Sequence, residues 1–242
     1  THLQAIILGL VQGLTEFLPV SSSGHLQLFQ FFFGFEHIKN YIFFDLICHL
    51  GTLLAVCIVL FDDIKKALFQ DRKILIRILI ALLPLFPLLL IMNEIKSLFE
   101  SPFLLGFTYL FTSGLLFLSL MSKKSVKPSL KGSFVVGIFQ AIAILPGLSR
   151  SGSTIAAARL IGWSLQDAIR FSFLLAIPTI LGGIFIESLS LIHKGQNIWI
   201  GSMGISHYFL GFFVSFIMGF FALKFLIRLG LKGMVYFACT VS

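Results

Sequence analysis

Gln12-Gly13-Leu14-Thr15-Glu16-Phe17-Leu18-Pro19-Val20-Ser21-Ser22-Ser23-Gly24-His25 and Pro146-Gly147-Leu148-Ser149-Arg150-Ser151-Gly152-Ser153-Thr154 are two polar stretches in an otherwise apolar chain. In each, a proline is followed by hydroxyl residues and a glycine. That order reads as one helix stopping and another starting from a serine-rich N-terminus. Both have the composition of loops that handle phosphate. Between them they hold Glu16, His25 and Arg150, groups suited to breaking a phosphoanhydride.

The two stretches also resemble each other. Gly9, Gln12, Pro19 and Ser21-Ser22-Ser23-Gly24 answer to Gly137, Gln140, Pro146 and Ser149-Arg150-Ser151-Gly152, a repeat at a spacing of 127 or 128 residues. Phe43 to Leu54 and Phe171 to Leu181 continue the match weakly, with Thr52 and Thr179 in register.

A chain that is 57% hydrophobic and 12% charged cannot bury its apolar surface in one soluble core. It reads as one integral membrane domain over residues 1–242, with no cleavable signal peptide or soluble linker. The net charge of +8 comes from basic residues in short loops between apolar runs, the pattern of membrane anchoring, so no nucleic-acid partner is expected. Cys48, Cys57 and Cys239 lie in apolar stretches without metal-type spacing and read as packing residues, with no disulfide expected.

Residues 3–18 are too few to span a bilayer, at roughly 24 Å of helix against a hydrocarbon layer of roughly 30 Å. Residues 26–35 are fewer still. Two such pieces around a polar break predict a re-entrant hairpin. Spans are predicted at 43–61, 74–92 and 103–121, then a second short pair at 132–145 and 152–161, then spans at 168–192 and 208–229 and a short run at 231–241. Lys65, Lys66, Arg72 and Lys73 fill one predicted loop, Lys123, Lys124, Lys127 and Lys131 a second, and Lys224, Arg228 and Lys232 a third, all cytoplasmic by the positive-inside rule. The loops at 93–102 and 193–207 then lie outside. The chain reads as an all-α membrane fold of inverted-topology repeats, about 1–121 and 132–242, each a re-entrant hairpin plus three transmembrane helices. Hairpins entering from opposite faces bring their polar tips together near the midplane, where broken helices of inverted repeats build sites.

Two half-helix N-termini aimed at one cavity suit an anion. Ser21, Ser22, Ser23 and Gly24 begin one, and Ser149, Arg150, Ser151 and Gly152 the other. Arg150 adds a planar fork able to hold two phosphate oxygens. On their own, the serines serve equally as plain helix caps and Arg150 as a partner of Glu16. Gln12 and Glu16, four apart, share a helical face. A membrane-buried carboxylate is costly and serves as metal ligand, proton carrier or partner of arginine. With diphosphate oxygens, Glu16 suits a hard divalent cation, Mg2+ or Ca2+. His25 offers an acid, a base or a nucleophile beside the hydroxyls. Asp45 and His49 are candidates to line the same cavity, although a pair satisfying each other is the simpler account. Arg77 and Glu187 fall near span ends, where snorkelling accounts for them.

Both stretches resemble the signature motifs of the bacterial undecaprenyl-diphosphate phosphatase family linked to bacitracin resistance. Phe44-Asp45 through His49-Leu50-Gly51-Thr52-Leu53-Leu54-Ala55-Val56 and Arg170-Phe171-Ser172-Phe173-Leu174-Leu175-Ala176-Ile177-Pro178 are similar to it as well, so the likeness covers nearly the whole chain. The resemblance implies a multi-pass enzyme of the bacterial cytoplasmic membrane, its site open to the outer face. It would remove the terminal phosphate of undecaprenyl diphosphate and so recycle the carrier lipid of peptidoglycan synthesis. It implies Glu16, Ser22, His25 and Arg150 as catalytic, Arg150 holding the diphosphate, with Gln12, Ser21, Ser23, Gly24, Ser149, Ser151, Gly152 and Thr154 around the substrate. Gln12 is a departure, since many members carry glutamate there, and this leaves Glu16 with more of any metal-binding role. A homodimer is admitted as an assembly. The rival reading is a transporter or flippase for a phosphorylated lipid or anion, since broken helices in inverted repeats are also a transporter architecture.

Overall fold

A computed structural model describes residues 1–32, 42–89, 102–122, 125–145, 147–193 and 204–241. Helices account for nearly all of them: α1 His2–Thr15, α2 Ser22–Phe32, α3 Ile42–Val59, α4 Phe61–Lys65 with a π-helical turn Lys66–Gln70, α5 Arg72–Leu82, α6 Leu85–Leu89, α7 Pro102–Leu120, α8 Leu130–Ile142, α9 Arg150–Leu160, α10 Leu165–His193 and α11 Ile205–Val241. The loops expected to lie outside, parts of the predicted helices at 26–35 and 74–92, Lys123, Lys124 and Pro146 lie wholly or largely outside the described residues.

The chain breaks at both polar stretches, between α1 and α2 and between α8 and α9. Among the described residues, two helices are long and apolar enough to cross a membrane, Leu165–Ser190 and Ile205–Arg228, or three if the bent pair Phe43–Val59 and Phe61–Gln70 is one span. This is a membrane protein. Its outward face carries large apolar side chains such as Phe209, Phe213, Ile217, Phe221 and Phe225, one helical stripe along α11.

Three expectations change. The span predicted at 74–92 is broken at Leu83 and Pro84, between α5 and α6. The basic run at Lys65 to Lys73 is helical rather than a loop: α3 turns by 75° into α4, and the chain leaves helix only at Asp71, which caps α5 by accepting from Lys73 N. The segments at 208–229 and 231–241 form one helix. Gly230 costs about 1 kcal/mol inside a helix, too little to break one.

Small residues set how closely the helices approach, as they do where no hydrophobic force drives helices together. Gly9 and Gly13, four apart on α1, face Gly211, Ser215 and Gly219 on α11; a side chain at Gly13 would lie 2.7 Å from the Ser215 carbonyl. From the other side α3 brings Gly51 against the same serine, whose hydroxyl donates to Cys48 O at 2.9 Å. Helix α9 lies at the centre, packed on α7, α8 and α10 with every residue from Ser151 to Ala158 buried. Ala156, Ala157 and Ala158 have the size that position allows. In its last turn, Arg159 donates to the carbonyls of Ser122 and Trp163, and Trp163 pairs with Val126, tying both segments to the end of α9.

Candidate active site

Gln12 and Glu16 occupy one face of α1 at its last turn, and Gln12 Nε2 donates to Glu16 Oε2 at 2.9 Å. Both are buried. Ser22, the first residue of α2, donates its hydroxyl to the same oxygen at 2.8 Å. Arg150, the first residue of α9, donates from Nη2 to Glu16 Oε1 at 2.6 Å. One carboxylate from the first break thus gathers a hydroxyl from its own loop and a guanidinium from the second. Arg150 Nη1 is buried with no protein acceptor among the described residues.

The breaks are held together by more than this ion pair. Ser151 Oγ donates to Leu18 O at 3.2 Å, and Gly152 lies against Pro19. Ser149 caps α9 by accepting from Gly152 N at 3.1 Å, while its own N–H donates to Thr112 Oγ1 of α7 at 3.2 Å. Gly147, at φ +84°, takes a conformation open to glycine. At Gly24 a side chain would run into the Tyr109 hydroxyl and stand 3.2 Å from Gly147 Cα. Gly24→Ala is therefore expected to cost about 1–3 kcal/mol by overpacking. A thermal melt in detergent reads this, and an unchanged midpoint contradicts the close approach of the two breaks.

The carboxylate and guanidinium border a cavity of about 310 Å³ whose polar wall is Glu16, Ser21, Ser22, Ser23, His49, Ser149, Arg150, Thr179 and Glu187. The N-terminal residues of α2 and α9 stand on its wall, so both helix dipoles favour an anion there. Arg150, Thr179, Gly183 and Glu187 also border a groove of about 410 Å³, whose wall includes Gln140 and is otherwise mostly apolar, with Leu82, Leu85, Phe86, Ile144, Pro178 and Ile186. A polar pocket opening beside an apolar groove suits an anionic head on an apolar tail.

Of the residues singled out from sequence, Glu16, Ser21, Ser22, Ser23, Ser149 and Arg150 line the cavity and Gln12 reaches it through Glu16. Gly24, Ser151 and Gly152 join the loops. Thr154 is turned away, with its hydroxyl 2.6 Å from that of Ser172 on α10. His25 is not brought to this cavity. Its ring borders a second, apolar groove with Val11, Leu14, Leu18, Phe29 and Phe221, and Nδ1 lies 2.9 Å from Ser21 O. The imidazole at the cavity wall is that of His49, whose Nε2 is 3.6 Å from Glu16 Oε2. Its Nδ1 is 2.8 Å from Asp45 O, and since a carbonyl only accepts, that nitrogen carries the proton. The pair thus meets through the Asp45 backbone. Glu187, read from its place near a span end, is also on the wall. Tyr109 and Thr112 were not singled out, although Thr108, Tyr109 and Thr112 mark one polar patch in an apolar span.

The profile of the family described as "Bacitracin resistance protein BacA" matches residues 5–240. The chain belongs to the BacA family. Among similar proteins, the "Undecaprenyl-diphosphatase" of Protochlamydia amoebophila is 48% identical over 218 residues, covering 89% of this chain and 84% of its own. The proteins of the same name from Bacteroides fragilis, strain YCH46, and Carboxydothermus hydrogenoformans are 38% and 39% identical, over 97% and 95% of this chain and 92% and 89% of theirs. In this BacA-family chain, Gln12 and Ser22 of the first polar stretch and Arg150 of the second all donate to Glu16.

Proposed function

We propose that the protein hydrolyses undecaprenyl diphosphate to undecaprenyl phosphate and inorganic phosphate, returning the carrier lipid to cell-wall synthesis. One observation carries the reading: Glu16 and Ser22 of one break meet Arg150 of the other at the mouth between a polar cavity and an apolar groove. The relatives named above are all called diphosphatases, and nothing in the site favours the transporter reading. Phosphate release by the purified protein in detergent micelles, where no compartments exist, is the test. No release from prenyl diphosphate would remove this function.

The diphosphate lies in the cavity and the first isoprene units in the groove beside Arg150. Because the Ser22 hydroxyl already points its proton at Glu16, the carboxylate is placed to accept that proton as Ser22 Oγ attacks the terminal phosphorus. The new O–P bond forms as the bridging P–O bond breaks, and prenyl monophosphate leaves. Water then hydrolyses the phosphoserine, releasing phosphate and restoring the hydroxyl. Arg150 and the N-termini of α2 and α9 neutralise charge on the transferring phosphoryl group. Ser22→Ala is expected to lower turnover by about 10²-fold or more, and acid-quenched wild type to hold phosphate on Ser22. Full activity in the variant would return the attack to water.

Among the described residues, no group of three or more His, Cys, Asp or Glu side chains converges on a metal position. Glu16 is the residue here that would hold a Mg2+ or Ca2+ ion, hard cations that take oxygen ligands. When bound, it supplies further positive charge to the departing phosphate.

The finer architecture is part of the same proposal. Each half is a helix pair broken at a polar stretch, re-entrant from one membrane face, followed by three spans, and the halves are upside down to each other. The matching breaks, the buried Gln12 and Gln140 at equivalent places, and the basic residues at α4 to α5 and along the end of α11 support it. In the bacterial cytoplasmic membrane this opens the site to the outer face.

A further inference from the structure

Ser21 is the only non-glycine residue among those described with a positive φ, at +64°. A left-handed serine is strained, by about 1–3 kcal/mol, and persists only when its surroundings hold it. The conformation has a consequence one residue later, because it sets the direction in which Ser22 leaves the turn and so puts the Ser22 hydroxyl 2.8 Å from Glu16.

Ser21 is held at its hydroxyl by Gly24 N, which donates to it at 3.4 Å, and more closely at its carbonyl by His25. The Ser21 carbonyl accepts the ordinary helical bond from His25 N at 3.2 Å and a second from the His25 ring at 2.9 Å. A carbonyl has no proton to give, so Nδ1 carries it and donates. The Tyr109 hydroxyl lies 3.4 Å from the same Nδ1, a weaker second acceptor for its proton, and the two rings lie edge to face at 5.4 Å. Tyr109 also packs on Gly24, so the same tyrosine braces the turn and the imidazole. The ring borders an apolar groove with Val11, Leu18 and Phe29 rather than the cavity where the diphosphate is placed.

We infer that His25 is a positioning residue: its Nδ1–H clamps the Ser21 carbonyl, keeps that turn left-handed, and thereby aims Ser22 at Glu16. The inference rests on the proposed phosphatase reading for its kinetic consequence, but the clamp itself is a property of the fold. Asparagine places an N–H near the position of histidine Nδ1, whereas glutamine places one near Nε2. His25→Asn is therefore expected to keep kcat/KM for prenyl diphosphate within about 5-fold of wild type. His25→Gln and His25→Ala lose about 10- to 100-fold. Glycine adopts a positive φ without strain, so in a Ser21→Gly background the further loss from His25→Ala shrinks to less than about 5-fold. An asparagine variant as inactive as alanine, or an equal loss from His25→Ala in both backgrounds, overturns the inference and returns the imidazole to proton transfer or attack. Thermal midpoints of the same variants in micelles need no substrate. The clamp orders them wild type and His25→Asn above His25→Gln, and equal midpoints for Asn and Gln count against it. Absence of phosphate release from wild type would instead remove the phosphatase reading, leaving the thermal comparison to decide the clamp.

Discussion

Replacing Arg150 by alanine is expected to lower phosphate release from prenyl diphosphate by about 10²–10³-fold or more, the scale of removing a preorganised charge from a transition state. Arg150 Nη2 is committed to Glu16 Oε1 at 2.6 Å, and the buried Nη1 has no protein acceptor among the described residues. The guanidinium thus holds the carboxylate through one nitrogen and keeps a second nitrogen that the proposed diphosphate would satisfy. Lysine carries the charge but not the fork, so Arg150→Lys is expected to restore only a small part of the rate. Steady-state kinetics in micelles separates the contributions. A change confined to KM would mean that Arg150 only captures the head group, and near-normal turnover in the alanine variant would remove it from the site.

Glu16 is the second large effect, for a different reason. Its two oxygens receive Gln12, Ser22 and Arg150, so Glu16→Ala takes away the proton acceptor and also leaves a buried guanidinium without its counter-charge. Breaking one side of a buried pair costs about 3–5 kcal/mol. The expected result is loss of activity together with a lower thermal midpoint. Glu16→Gln keeps the shape and a hydrogen-bonding oxygen, so it should fold better than the alanine variant and remain equally inactive. Activity in Glu16→Gln near that of wild type would mean the carboxylate is structural and another group takes the Ser22 proton.

The legible parts of this site are those whose geometry a helix dictates. Gln12 and Glu16 are four apart and had to share a face; Ser149, placed before a helical run, had to cap it. The charge pattern suggests a topology in which the two breaks meet, and Ser151 on Leu18 and Arg150 on Glu16 show them in contact. What the sequence hides is side-chain direction. His25 follows Ser22 by three residues and looks like its partner, yet a ring folded back onto the carbonyl four residues earlier leaves no trace in the pattern. His49, a candidate from its spacing to Asp45, does line the cavity, whereas Thr179 reaches it because α3 packs on α10, a tertiary fact with no local signature. The charges at Lys224, Arg228 and Lys232 suggest a loop, yet the helix runs on through Gly230, whose lower helix propensity does not end it.

The central claim is that one diphosphate is held by both polar breaks at once. An experimental structure with a non-hydrolysable, methylene-bridged prenyl diphosphonate tests it most directly. The expected result places Arg150 and the Ser22 hydroxyl within hydrogen-bonding distance of the same terminal phosphonate, with the tail leaving past Pro178 and Gly183. A head group bound beside His25 in the other groove, or touching only one of the two breaks, would contradict it.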